Sequence, residues 1–291
     1  MSKVLRLGVH AWRVAAVRTL DDYAQHLDRV VAAGAKAAEL LLLPEYSCME
    51  AAAAVADQPT PAGELMASCR IRDRLLEIMI ACAQRHKIWL MPGSLPYEAA
   101  GRIRNRAPLI GPDGKLAFQD KRVMTRFEAE SWGVQAGEPP GVFDTPWGII
   151  GASICYDSEF PMLTRAQVER GAWLILVPAC TDTLHGFNRV RISARARALE
   201  NQCFVAVAPT VGLAPWSATL DENHGQAGIY GPIDRGFSAD GVIAEGDMDA
   251  EGWVFATLDP ASLAAVRTQG AVLNHADWPA AVWPAEFHDF L

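Results

Sequence analysis

The chain is expected to fold as one α/β domain, a mixed β-sheet with helices outside, built as two such sheets packed face to face. Three observations predict it. Strand-like and helix-like segments alternate through most of the chain and give way to hairpin-like segments at the end. Several strand candidates, Glu39–Leu43 among them, are nearly unbroken apolar runs, the kind found in strands covered on both faces. No linker-like or low-complexity stretch and no solenoid-like repeat divides the 291 residues, a length that can bury one large core or two modest ones.

Taken in order, Val4–His10 alternates as a strand does. Thr19 then offers an N-cap with Asp21 and Asp22 in the first turn, and Tyr23, Leu27, Val30 and Val31 follow at helical spacing toward Gly34. Glu39–Leu43 is a buried strand ended by Pro44, Pro61–His86 a helix with an apolar stripe, and Ile88–Met91 the next strand. Ile103–Ile110, the turn Gly111-Pro-Asp-Gly114 and Lys115–Gln119 form a hairpin, and Val142–Asp144 with Ile149–Ile154 another. Leu163–Arg170 is a helix, Trp173–Val177 a strand, Phe187–Asn201 a helix and Cys203–Ala208 a strand. Short strands are expected at Gly228–Tyr230, Arg235–Phe237, Val242–Ala244 and Trp253–Thr257, then a helix over Pro260–Arg267 and an irregular tail over Leu273–Leu291. The domain is drawn as 1–270, with 271–291 as an extension packing on it or on a partner subunit.

Composition narrows the function. About half the residues are apolar and about a fifth charged, ordinary for a soluble enzyme. A net charge of −8 without a basic block gives no footprint for nucleic acid. The N-terminus has no signal-peptide core, and no apolar run approaches the ~20 residues of a membrane helix. Six cysteines without a CxxC pair read as free thiols in a reducing cytoplasm. Seven histidines show no ligand spacing, so no metal site is expected.

Three segments carry chemistry. Cys155 ends the apolar run Gly148–Ile154 and enters a turn, where open α/β sheets place ligands; a buried hydrophobic thiol is the alternative. Glu45 follows Leu-Leu-Leu-Pro directly, so it either reaches solvent or sits partnered against an apolar wall that would raise its pKa. Lys121 follows the hairpin beside Asp120, and a solvated lysine is its alternative. Glu128 and Glu130 lie between Lys121 and Cys155, one of them a candidate to face the site. His185 follows a strand candidate and could be imagined as a Cys–His partner, but the signatures of cysteine proteases are absent. If the ends converge, they supply a base, an oxyanion stabiliser and a nucleophile.

Together Leu43-Pro-Glu45, Asp120-Lys121 and Ile154-Cys155-Tyr-Asp157 with Phe160-Pro161 resemble the nitrilase (carbon–nitrogen hydrolase) superfamily, in its amidase-like branch. Asn105 with the Pro112-Asp-Gly114 turn, Gly171–Pro178 and Arg195–Asn201 look like its framework, and the similarity runs from about Val4 to about Arg267. The resemblance implies an α-β-β-α sandwich, subunits that pair through helices into a homodimer or higher homo-oligomer, and a Glu–Lys–Cys triad without metal or organic cofactor. Carried over by position, Glu45 is the base, Lys121 the oxyanion stabiliser and Cys155 the nucleophile. Glu130, with Gly137 downstream, fits the family's second glutamate better than Glu128. The Tyr156 N–H would help hold the oxyanion, and Trp132, Trp216 and Tyr230 are candidates to line the pocket.

Asp120 stands where many members have arginine, and Val123-Met124 where His-Leu is frequent. Ser158 and Glu159 stand where N-carbamoyl amino acid hydrolases carry arginines for a substrate carboxylate. The expected reaction is therefore hydrolysis of a small neutral or amine-bearing amide through a thioester. The alternatives are an N-carbamoyl amine hydrolase or nitrilase on the same triad, and a catalytically silent scaffold.

Overall fold

The computed structural model describes residues 3–281. Strand β1 (Leu5–Arg13) leads into α1 (Leu20–Gly34), β2 (Leu40–Leu42), α2 (Met49–Val55), α3 (Pro61–His86) and β3 (Trp89–Met91). Next come β4 (Leu95–Ala99), β5 (Arg102–Ile110), β6 (Leu116–Asp120), β7 (Phe143–Thr145), β8 (Gly148–Ala152), α4 (Pro161–Glu169), β9 (Leu174–Ala179) and α5 (Leu184–Asn201). The chain continues through β10 (Phe204–Leu213), β11 (Glu222–Asn223), β12 (Gly228–Tyr230), β13 (Val242–Glu245), β14 (Gly252–Leu258), α6 (Pro260–Gln269) and α7 (Asn274–Asp277).

The strands run in the order β4-β5-β3-β2-β1-β10-β9-β8-β7. The first half, β1 to β5, also carries β6 on β5 and β14 on β1, and the second half, β7 to β10, adds β12 and β13. Among the described residues the halves are joined strand to strand where the end of β1 pairs with β10, at Trp12–Thr210 and Arg13–Val211, so one curled mixed sheet folds into two layers.

Alternation along the strands builds the layers. Leu5, Leu7 and Val9 on β1 and Leu40 and Leu42 on β2 share a core with Ile150, Leu174, Leu176, Val205 and Val207 of the opposite half. The intervening Leu41, with Leu43, packs instead with Tyr23, Leu27 and Val31 of α1 and Leu75 and Met79 of α3. Both faces of these strands are thus buried, which is why their sequences lack a polar face. The α-β-β-α sandwich is the architecture observed.

Helix α1 starts as its sequence dictates, with Thr19 and Asp22 completing a reciprocal capping box. The strand β4 was not legible: Tyr97-Glu98-Ala99 lacks β-branched residues, and its pairing with β5 comes through a turn with Ala100 and Gly101 both at positive φ. Arg235–Phe237, expected as a strand, is a turn. Part of the expected irregular tail is helical in α7, and Gln202 bonds to Val272 and His275 while Arg165 lies over the Trp278 ring at 4.9 Å. Residues 282–291 of the expected extension lie outside the described residues. Among the described residues no helix is long and apolar enough to cross a membrane.

Candidate active site

Glu45 leaves β2 through Pro44, and the segment lies against residues 92–94, where Glu45 forms an isolated parallel bridge with Ser94. The approach is close: Gly93 sits at φ 91°, and a Cβ there would lie 1.8 Å from the Pro44 carbonyl oxygen. Lys121 follows β6, whose last residue, Asp120, accepts from Arg106 at 2.6 and 3.3 Å and from Arg104 at 3.0 Å. The aspartate that departs from the family pattern therefore anchors the strand end. Cys155 begins a 3₁₀ turn over Cys155–Glu159 and is held at φ 47°, a conformation unusual away from glycine. Asp157 of that turn accepts from the Arg122 N–H at 2.9 Å and the Val123 N–H at 2.7 Å, tying the chain after Lys121 to the cysteine turn.

Three far-apart ends thus converge. The Lys121 ammonium, fully buried, donates to Glu45 Oε1 at 2.9 Å and to both oxygens of Glu128 at 2.8 and 2.7 Å. Asn105 Nδ2 bridges the two carboxylates, at 2.7 Å to Glu45 and 3.1 Å to Glu128. The Cys155 thiol donates to the Cys180 carbonyl oxygen at 3.5 Å, and the Cys180 N–H donates to Glu45 Oε2 at 3.2 Å, so residue 180 links the cysteine to the carboxylate.

The two carboxylates are pushed apart. Burial raises Glu45 above its ordinary pKa against the pull of Lys121, and the nearby Glu128 charge adds to the rise. Burial would raise Glu128 as well, but Lys121 and the hydrogen bonds from Tyr46 and Thr125 hold it below the usual range. Lys121 stays protonated because Glu128 and Glu45 outweigh its own desolvation. Burial and the Glu45 charge push the Cys155 thiol well above its ordinary value despite Lys121. Lys121 alone would be expected to lower that thiol's pKa; here desolvation prevails, so the resting residue is a neutral thiol.

Glu45, Tyr46, Lys121, Glu128, Trp132, Cys155, Tyr156 and Glu159 all line one cavity of about 630 Å³. Glu130 does not belong to it. The expectation that Glu130 faces the site is corrected: its side chain is exposed and pairs with Arg126 at 2.9 Å, while Glu128 points inward to Lys121. The reason is a π-turn over Phe127–Ser131, which puts the two glutamates on opposite sides. Trp216 and Tyr230 are not among the lining residues, and the Tyr230 hydroxyl bonds to Glu245 instead. His185 is exposed on the first turn of α5 and does not line the cavity, which removes the Cys–His arrangement.

Glu159 lines the wall but is not alone. Arg189, on α5, donates to it at 3.2 Å and lines the same wall. An arginine therefore reaches the cavity from a segment that the local sequence around Ser158 and Glu159 could not reveal. Among the described residues the potential metal-ligating cluster is Asp28, Cys82 and His86, outside the cavity. Asp28 already accepts from Arg85 at 2.7 Å and lies 2.8 Å from His86.

A family profile described as carbon-nitrogen hydrolase matches residues 14–268. The chain belongs to the carbon–nitrogen hydrolase family. Among curated proteins it is 29% identical over 269 residues to the probable hydrolase YhcX of Bacillus subtilis, covering 92% of this chain and 52% of that one. It is 31% identical over 207 residues to the deaminated glutathione amidase of Synechocystis, covering 66% of this chain and 72% of that one. It is 33% identical over 135 residues to an omega-amidase of Mus musculus, covering 43% and 49%. The chain thus spans about half the length of most of these curated relatives. Among solved structures, the NitFhit protein of C. elegans superposes with a TM-score of 0.76 at 24% identity, over 92% of this chain and 63% of that one. A variant of the amidase from Nesterenkonia sp. AN1, with the acetamide moiety of fluoroacetamide added covalently at its active site cysteine, gives 0.69 at 24% identity, over 89% and 92%. These structures share the fold.

Proposed function

We propose that this carbon–nitrogen hydrolase splits a small amide into a carboxylic acid and ammonia through a thioester on Cys155. The observation that carries the reading is the buried ammonium of Lys121 held by two carboxylates driven in opposite directions, with a neutral thiol against the one that is raised. Two like groups with separated proton affinities mark an acid/base site.

In the proposed reaction the Cys155 sulfur attacks the amide carbon as its proton passes to Glu45. The carbonyl oxygen takes the negative charge, facing Lys121 and the N–H of Tyr156; one such donor is typically worth ~100–1000-fold in rate. The carbon–nitrogen bond then breaks as Glu45 returns the proton to the leaving nitrogen, and ammonia departs. Water enters, Glu45 takes its proton, and hydroxide attacks the thioester. Collapse expels the sulfur, which recovers the proton from Glu45, and the acid leaves. Glu128 stays ionised throughout and keeps Lys121 charged.

Glu159 and Arg189 cancel each other on the cavity wall, so a neutral acyl chain enters without displacing either partner. A neutral amide is therefore the proposed substrate class. Self-association is proposed through the outer face of α4 and α5, where Met162, Leu184 and Ile192 are exposed. The function is tested by ammonia release from a panel of amides, nitriles and N-carbamoyl amines, with Cys155→Ala as control. Release that is equal for both proteins overturns the reading.

A further inference from the structure

We infer that Tyr46 is a positioning residue of the active site, whose phenol hydrogen bond fixes the Glu128 carboxylate in its two-point grip on Lys121. The inference rests on the hydrolase reading above and adds a residue to it.

Adjacent residues in extended chain point to opposite sides. Glu45 and Tyr46 nevertheless both line the cavity. The chain achieves this by placing Tyr46 at φ 61°, in the left-handed region that a bulky aromatic residue rarely adopts. Strain of this kind persists only where surrounding structure over-determines it. Here the Tyr46 N–H is held by the Ser94 carbonyl at 3.1 Å, and its ring is met edge-on by Trp132 at 5.3 Å. Trp132 is itself anchored, its indole N–H donating to the Pro61 carbonyl at 2.9 Å.

The phenol so placed donates to Glu128 Oε1 at 2.7 Å, closer than Asn105 approaches the same oxygen. On the other side Glu128 Oε2 accepts from the Thr125 N–H and hydroxyl, both at 2.9 Å. With Lys121 on both oxygens, Glu128 has no free direction left in which to turn. Burial and the Glu128 charge push the phenol's own pKa well above its ordinary range, so Tyr46 remains a donor and takes no part as an acid. The titratable groups around Glu128 are Lys121 after β6, Glu45 and Tyr46 after β2, and Asp157 on the cysteine turn. Of these, the hydrogen bond of Tyr46 can be removed with its ring left in place.

The test compares wild type, Tyr46→Phe and Cys155→Ala across pH with a neutral amide, reading kcat, KM and the thermal midpoint. Loss of one hydrogen bond to a buried charge should lower kcat by about 10–100-fold with KM within about threefold. Glu128 loses a donor that favours its ionised form, so the acidic limb of kcat should move to higher pH. A correctly folded Tyr46→Phe with kcat within about twofold of wild type and an unmoved acidic limb overturns the inference. So does a loss confined to KM or to the thermal midpoint, which is what packing alone would give. Wild type that releases no more ammonia than Cys155→Ala fails earlier, and takes the hydrolase reading with it.

Discussion

Lys121 and Glu128 are joined twice, the ammonium lying 2.8 and 2.7 Å from the two carboxylate oxygens, with both residues buried. A buried cation held this way costs desolvation that only close, complete pairing offsets, and removing one partner is far worse than never burying the pair. Glu45, at 2.9 Å, is the second anion on the same ammonium. The cluster therefore carries one excess negative charge, which is why Glu45 is poised to accept a proton.

Glu128→Gln should lower kcat by about 100–1000-fold, because Glu45 must then serve as the counter-ion of Lys121 and is no longer poised to accept a proton. Glu130→Gln should stay within about twofold, since its partner Arg126 is a solvent-exposed one. Steady-state ammonia release from the two variants checks this. Equal effects would mean that the inward glutamate has been misassigned.

Glu45→Gln should separate turnover from thiol reactivity. Removing the base should cost about 100–10,000-fold in turnover. The Glu45 charge also helps keep the Cys155 thiol pKa high, so its removal should bring that pKa down. Alkylation of Cys155 by iodoacetamide at neutral pH should then be faster in the inactive variant than in wild type. Slower alkylation in Glu45→Gln would show instead that the sulfur reacts only when Glu45 takes its proton, whatever the thiol's own pKa.

Glu159→Gln leaves Arg189 unmatched on the cavity wall. Preference should move toward amides that carry a carboxylate, by about tenfold or more in relative kcat/KM. An amide panel run on both proteins measures it, and an unchanged ranking would place the acyl chain elsewhere in the cavity.

Asp157 gives a stability prediction with a definite sign. Burial raises its carboxyl to about 6, above the ordinary 3.8, despite the N–H groups of Arg122 and Val123. The folded state therefore binds a proton that the unfolded chain has released. The stability from this group is full below the unfolded value and is lost as pH rises through about 6. Asp157→Asn keeps an acceptor for both amides and should flatten that decline, which amounts to about 3 kcal/mol at most. Denaturant melts of both proteins across this range check it.

Much of this was legible in the sequence. Leu41 and Leu42 face different cores, so a run without polar alternation correctly signalled strands covered on both sides. Glu45, Lys121 and Cys155 could be found because each ends an apolar or hairpin segment abruptly. The choice between Glu128 and Glu130 went wrong for a local reason. Thr125 and Glu128 have the spacing of a capping box, and they form its reciprocal bonds, with the Thr125 N–H donating to Glu128 Oε2 and the Glu128 N–H to the Thr125 hydroxyl. That pattern was the available signal for which glutamate turns inward. Arg189 and Tyr46 gave no such signal. The first enters from α5, thirty residues beyond Glu159 in the chain, and the second depends on a backbone reversal that a bulky residue does not advertise.

Intact-mass spectrometry of the wild-type protein during turnover of a neutral amide tests the central claim most directly. Cys155 should carry the acyl group of the substrate, and the adduct should be absent from Cys155→Ala. Turnover with no mass added at Cys155, continuing undiminished when that sulfur is removed, would contradict it.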